Sequence, residues 1–315
     1  MELKRAGIGC HIGQLFAAAL AYADDVVLLA PTARAMRAML AICDRFATEF
    51  NVTFNANKSK CITFMAPSHC PARVKAGLAP HFLISGHIVE NVLTWPHLGH
   101  IFSSKMLDDD DISARRNSFI DQANTFLCNF SQIDVSVRNV LFKTYCSSHY
   151  GAELWDLTNC KIEDYCIAWR KGLRRVWKLP CDSSCLNVTL VSDTVPLLDE
   201  LCRRVMNFIN TCLSCDSHFV RDIVLHGLSA GSLSTIGRNA IFCSLRYNMH
   251  TRDIGNKKLT GSRCLEQFKS KLNVESIDRA TALREVIYVR EGLYKFSNSI
   301  FSTGDVNTLI QLLAC

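Results

Sequence analysis

Proline and glycine are scarce, at 7 and 15 in 315 residues. This excludes collagen-like and proline-rich chains. No segment repeats. No GxGxxG or GxxxxGK string occurs, so a dinucleotide fold or a P-loop has no support. A long uninterrupted hydrophobic run is missing too. The most apolar stretch, Ile12 to Ala30, contains Asp24 and Asp25, whose burial in lipid would be costly. Met1-Glu2-Leu3-Lys4-Arg5 lacks the apolar sequel of a secretory leader. A soluble protein inside the cell, with no membrane partner, is expected.

Charge of one sign is also in short supply. Lys and Arg number 35 against 29 Asp and Glu, a net +6. This permits nucleic-acid binding without establishing it, because binding needs the charge gathered on one face. The 49% hydrophobic content suits a folded chain, and the length favours more than one domain. Sixteen cysteines are present without a paired CxxC array. Cys212 with Cys215, and more loosely Cys181 with Cys185, could supply four thiolates to zinc. The wide first spacing and the place of Cys212 near a helix end favour reduced, largely buried thiols instead. His11, His81, His87, His97 and His100 are too irregularly spaced for a metal site.

The pattern predicts an α+β chain. Residues 15–30 form two strands about a turn at Ala23, Asp24 and Asp25, with Val26 to Leu29 as the second strand. A helix follows over 32–50, capped by Thr32, with Met36, Met39, Leu40, Cys43, Phe46 and Phe50 near helical spacing. Val52–Phe54 and Cys61–Met65 are expected as short strands around a polar turn. Residues 67–80 form a loop. Phe82–Ile84 and Ile88–Val89 flank a hairpin turn, and another apolar segment runs from Val92 to Phe102. Beyond Lys105 the period is helical: 108–130, 135–150, 161–177 and 196–212, then 218–226, 236–250, 262–272 and 276–295. The acidic run Asp108 to Asp111 fits a solvated helix start.

Tyr22-Ala23-Asp24-Asp25 between two apolar strands is the sharpest chemical signal. A hairpin turn presents a carboxylate rigidly, and magnesium takes carboxylate oxygens. A solvated turn is the plainer alternative. The surrounding chain resembles the reverse transcriptase of non-LTR, LINE-like retrotransposons. The likeness rests on Gly9-Cys10-His11-Ile12-Gly13, on Leu20 to Ala30, on Asn55-Ala56-Asn57-Lys58-Ser59-Lys60, and on Trp95-Pro96-His97-Leu98-Gly99-His100. It continues more loosely to about residue 225, including Leu179-Pro180.

The resemblance implies a partial polymerase palm over 1–105, a helical thumb over 106–180 and a helical extension over 181–315. It implies an RNA-directed DNA polymerase, a nucleotidyltransferase of a transposable element that uses Mg2+ or Mn2+. RNA template, DNA primer and deoxynucleoside triphosphates would be its partners. Asp24 would be a catalytic metal ligand and Asp25 its companion. Tyr22 would lie near the nascent strand or the incoming nucleotide. Lys58 would support the triphosphate, or else be an ordinary turn lysine. His97 and Gly99 would belong to the primer grip. Arg170, Lys171, Arg174, Arg175 and Lys178, interleaved with Trp169 and Trp177, would follow the template–primer backbone, or else form the wet side of an amphipathic helix.

The family also places fingers and a further metal-binding aspartate ahead of the palm hairpin. Here only 21 residues precede Tyr22, and Glu2 is the sole acidic one. The expectation is therefore a fragment that holds no ion stably and is inactive alone. A noncatalytic nucleic-acid-binding protein and a nonfunctional retroelement remnant are the alternatives.

Overall fold

The computed structural model describes residues 2–64, 80–250, 266, 270, 274–290, 310 and 311. The chain divides into two compact units, Met1–Asp108 and Asp109–Cys315.

The first unit gathers short strands around one long helix. Its elements are α1 (Glu2–Ala6), β1 (His11–Ile12), β2 (Leu15–Phe16), β3 (Ala19–Tyr22), β4 (Asp25–Leu28), α2 (Ala33–Glu49), β5 (Lys60–Cys61), β6 (Phe82–Ile84), β7 (His87–Asn91), β8 (Thr94–His97) and β9 (His100–Ser103). Thr32 starts α2, its hydroxyl accepting the Ala35 N–H at 3.1 Å. The helix buries Met39, Leu40, Ile42 and Ala47. Leu40 packs with Phe82, Ile84 and Val89. The last three point inward because side chains alternate along β6 and β7, which leaves Leu83 and Ile88 paired on the outer face. Ser85 and Gly86, with φ of 51° and 76°, form the two-residue loop that matches strand twist. β5 joins β7 in parallel, giving the order β5-β7-β6.

Two expectations change here. Leu15 to Tyr22 is not one strand: β2 pairs with β1, and the chain is redirected at Ala17 and Ala18 before β3 begins. Gly9 allows this, because a Cβ there would lie 2.2 Å from that of Ala18 and 3.1 Å from the Leu29 carbonyl. Val52–Phe54 is not a strand. The Val52 N–H is taken by the Ala47 carbonyl at 2.9 Å and finishes α2. The loop at 67–80 lies outside the described residues except for Pro80.

The second unit is helical: α3 (Asp109–Asn129), α4 (Val135–Cys146), α5 (Lys161–Val176), α6 (Cys185–Val191), α7 (Leu197–Leu213), α8 (His218–Ser229), α9 (Thr235–Tyr247) and α10 (Val274–Arg290). Asp134, Ser184, Ser217 and Ser234 cap their helices through side-chain oxygens. The expected helix over 262–272 lies outside the described residues apart from Glu266 and Ser270. One continuous core runs from Ile112 through Phe142, Trp155, Leu173, Leu201 and Leu283. Gly172 lets α5 sit against α3 and α4; a Cβ there would be 3.0 Å from the rings of Phe119 and Phe142.

Helix α4 stops at Cys146 rather than Tyr150 because the following segment enters the core. Trp155 is fully buried, its indole donating to Asp111 at 2.6 Å. Asn239 donates to the Trp155 carbonyl and accepts from the Leu157 N–H, both at 2.8 Å. Buried His149 shares a 2.7 Å hydrogen bond with the Tyr165 hydroxyl. Burial, then the nearby Arg204, pushes His149 down to about 4. The acidic run opens α3 as expected, but it is not wholly solvated. Asp111 is 1% exposed, Asp109 accepts from Asn159 at 2.7 Å, and Asp108 lies 3.9 Å from His100. Among the described residues no helix is long and apolar enough to cross a membrane.

Candidate functional site

Strands β3 and β4 pair as a hairpin in the register Ala19↔Leu28, Leu20↔Val27, Ala21↔Val26 and Tyr22↔Asp25. Only Ala23 and Asp24 remain in the loop, so Asp25 already belongs to the second strand. Ala23 has φ of 51°, a left-handed conformation that costs an alanine about 1–2 kcal/mol. The base of the hairpin is held from both sides. The Cys10 N–H donates to the Leu29 carbonyl at 3.0 Å, and the Leu29 N–H to the Ala18 carbonyl at 2.7 Å. The pleat puts Leu20, Tyr22, Asp25 and Val27 on one face. Leu28, on the other, reaches the Leu40 core. Tyr22, Asp24 and Asp25 are all exposed, Tyr22 by 67%.

Two carboxylates on a fixed tip suit a hard divalent ion, which prefers oxygen ligands. They are a pair only. Among the described residues no three His, Cys, Asp or Glu side chains are arranged to hold a metal ion. Cys181, Cys185, Cys212 and Cys215 therefore do not come together as a four-thiolate group. Cys181 and Cys185 are exposed, while Cys212 is buried.

Lys58 is exposed in a turn, its N–H donating to the backbone and side-chain oxygens of Asn55. The sheet engages Lys60 instead. Its Nζ is 2.5 Å from Glu90 Oε2 and 5.5 Å from the Trp95 ring centre. Sequence reasoning passed over Lys60; the signal was its position at the first residue of a strand.

β8 and β9 form another hairpin, turning at exposed Leu98 and Gly99 with φ of 49° and 77°. His97 stands opposite His100 and packs 6.3 Å from Phe102. Gly99 supplies the second positive φ of that loop.

The five basic residues of 170–178 do not form one open row. Arg170 pairs with Glu163 at 2.6 Å. Arg174 donates twice to the Ser183 carbonyl, at 2.7 and 3.2 Å. Arg175 is exposed but reaches Asn124 at 2.5 Å. Lys178, with φ of 50°, is the left-handed residue that ends α5. Lys171, Arg175 and Lys178 are exposed, and Trp169 and Trp177 are buried. The helix is amphipathic as expected, but its arginines are partly used in holding the second unit together.

Comparison with protein-family models, curated proteins and solved structures gives no match.

Proposed function

We propose that this chain is a piece of an RNA-directed DNA polymerase of the non-LTR retrotransposon kind, carrying its palm hairpin and thumb, and that it does not polymerise alone. The observation that carries this reading is the β3–β4 hairpin, which has the consecutive Asp24 and Asp25 at an exposed tip, with Tyr22 paired opposite Asp25. The order of hairpin, long helix and a later hairpin at Leu98-Gly99 supports it.

In this reading Asp24 and Asp25 are ligands for Mg2+ or Mn2+. Two such ions, when bound, stabilise the attacking and leaving oxygens of nucleotidyl transfer. Tyr22 orients the nascent strand or the deoxynucleoside triphosphate. Lys58 lends charge to the triphosphate. The His97–Gly99 turn lies against the primer. Lys171, Arg175 and Lys178 are the exposed α5-region charges that would face template–primer phosphates, with Arg170 and Arg174 holding that region in shape. Two carboxylates do not complete the site, so a further acidic strand must join them. The setting is inside the cell.

Primer extension with magnesium or manganese tests this. The chain alone, the chain joined to the fingers and acidic palm strand of a non-LTR reverse transcriptase, and the joined form with Asp24→Ala would be compared. Extension is expected from the unmutated joined form only. Robust extension by the chain alone, or by the Asp24→Ala form, would sink the reading.

The exposed charges after Lys171 favour one second reading, a noncatalytic binder of nucleic acid. It predicts RNA affinity that falls steeply with salt and survives Asp24→Ala.

A further inference from the structure

A cavity of about 240 Å³ lies within the second unit, between α7, α8, α9 and the short 3-10 turn Ala152–Leu154. Its floor is buried and consists of Val205 and Ile209 of α7, Val224 of α8 and Asn239 of α9. Its rim is apolar as well: Phe208, Val220, Ile223 and Ile236 are half-buried, and Leu154 is exposed. Helix α8 buries only Val224 and Gly227 among its 12 residues, so it is the wall that yields most readily to a guest.

The polar side chains of the wall are engaged by the protein itself. Asn239 commits both ends of its amide to the backbone of Trp155 and Leu157. Glu153 accepts from Arg204 at 2.8 Å, which balances its charge, and the Thr235 hydroxyl accepts from Arg238 at 3.1 Å. Burial first, then Cys215, raises the Cys212 thiol, so it stays uncharged. A polar or charged guest would give up its hydration here with little hydrogen bonding in return. An apolar guest gains from leaving water and from contact with the wall.

Size narrows the class further. A cavity of roughly 150 Å³ with aliphatic and aromatic walls takes a single benzene ring. The cavity of about 240 Å³ is larger by about half, which is the increment of a second fused ring.

We propose that this cavity is a binding site for a neutral, apolar small molecule of fused two-ring size, seated on Val205, Ile209 and Val224 and covered by α8. The guest joins α7, α8 and α9 through shared contacts and so stabilises this part of the core. The site involves nothing of the β3–β4 hairpin, so it stands or falls independently of polymerase ancestry.

The purified full chain, labelled at its methyl groups, would be titrated with naphthalene and separately with naphthalene-2-sulfonate, which adds a fixed negative charge to the same rings. Saturable shifts at the methyl signals of Val205, Ile209 and Val224 are expected with naphthalene. The sulfonate should bind at least about tenfold more weakly. Ile223→Trp, which fills the rim with an indole, should weaken naphthalene binding by a similar factor and leave the helical circular dichroism unchanged. If that variant fails to fold, the two wild-type titrations decide. Shifts at those methyl groups that are absent or do not saturate would overturn the proposal. So would equal affinity for the sulfonate, undiminished affinity in folded Ile223→Trp, or shifts confined to the groove at Phe130 and Tyr145.

Discussion

The two units bury their apolar residues in opposite manners. In the second, helices cover one another, and the core is continuous enough to enclose Trp155, Arg138 and His149. In the first, the Leu40 core is a small cluster under one face of a three-stranded sheet. Among the described residues, more of the exposed large apolar side chains fall in this first unit, although fewer of its residues are described; Leu83, Ile88, Leu93 and Met106 are among them. A two-stranded hairpin has one covered face at best, and its tip is left in solvent. That geometry is poor for stability and suited to presenting Asp24 and Asp25. The helical unit has the reverse character: its polar groups are drawn inward and hold its own fold.

The largest expected effect lies in the helical unit. Trp155→Ala removes the central ring and leaves the Asp111 carboxylate buried without its indole donor. A loss of about 3–5 kcal/mol is expected in denaturant unfolding. A loss under about 1 kcal/mol would mean the core is less interlocked than described.

Next in size is a pH effect. His149 is held near 4, below its unfolded value of about 6.5, by burial first and by Arg204, with Glu200 opposing and Tyr165 as its hydrogen-bond partner. The unfolded chain therefore binds the proton more readily. Stability from this group is full above about pH 6.5 and is lost as pH falls toward 4, by about 2 kcal/mol at pH 5. His149→Gln should flatten that part of the stability profile; an unchanged profile would assign the acid sensitivity elsewhere.

Gly172→Ala sets two terms against each other. Alanine favours the helix by about 1 kcal/mol. Crowding the rings of Phe119 and Phe142 costs about 1–3 kcal/mol. A net loss of about 1 kcal/mol is expected by thermal unfolding, and a gain would show that the rings have room to move.

The smallest change in stability, within about 0.5 kcal/mol, is expected for Ile88→Lys on the outer face of β7. Ile88 is 68% exposed and paired with Leu83, so the variant should chiefly reduce concentration-dependent association in sedimentation. Unaltered association would remove that face as its cause.

Elements with a strong local code are legible in the sequence. Thr32 capping α2, the hairpin turn at Ser85-Gly86 and the amphipathic α5 follow from local sequence, whereas the turn at Leu98-Gly99 was suggested only by the family resemblance. What was hidden depends on distant partners. Nothing near Asp111 announces Trp155, 44 residues on, as its donor. Lys60 is engaged by Glu90 across a parallel pairing, and Arg174 by a carbonyl beyond the end of its helix. Helix α6 is only 7 residues long, too short for a period to declare itself. The Asp24–Asp25 tip was legible as a motif because hairpin chemistry is local; the surroundings of that tip were not.

The most direct test of the metal-binding role proposed for the hairpin is manganese-induced broadening of backbone amide signals in the intact chain. Selective broadening at Tyr22 to Asp25 at millimolar manganese, abolished by Asp24→Ala, is expected. Sharp signals there, with broadening confined to Asp108–Asp110, would contradict the assignment of the carboxylate pair to metal chemistry.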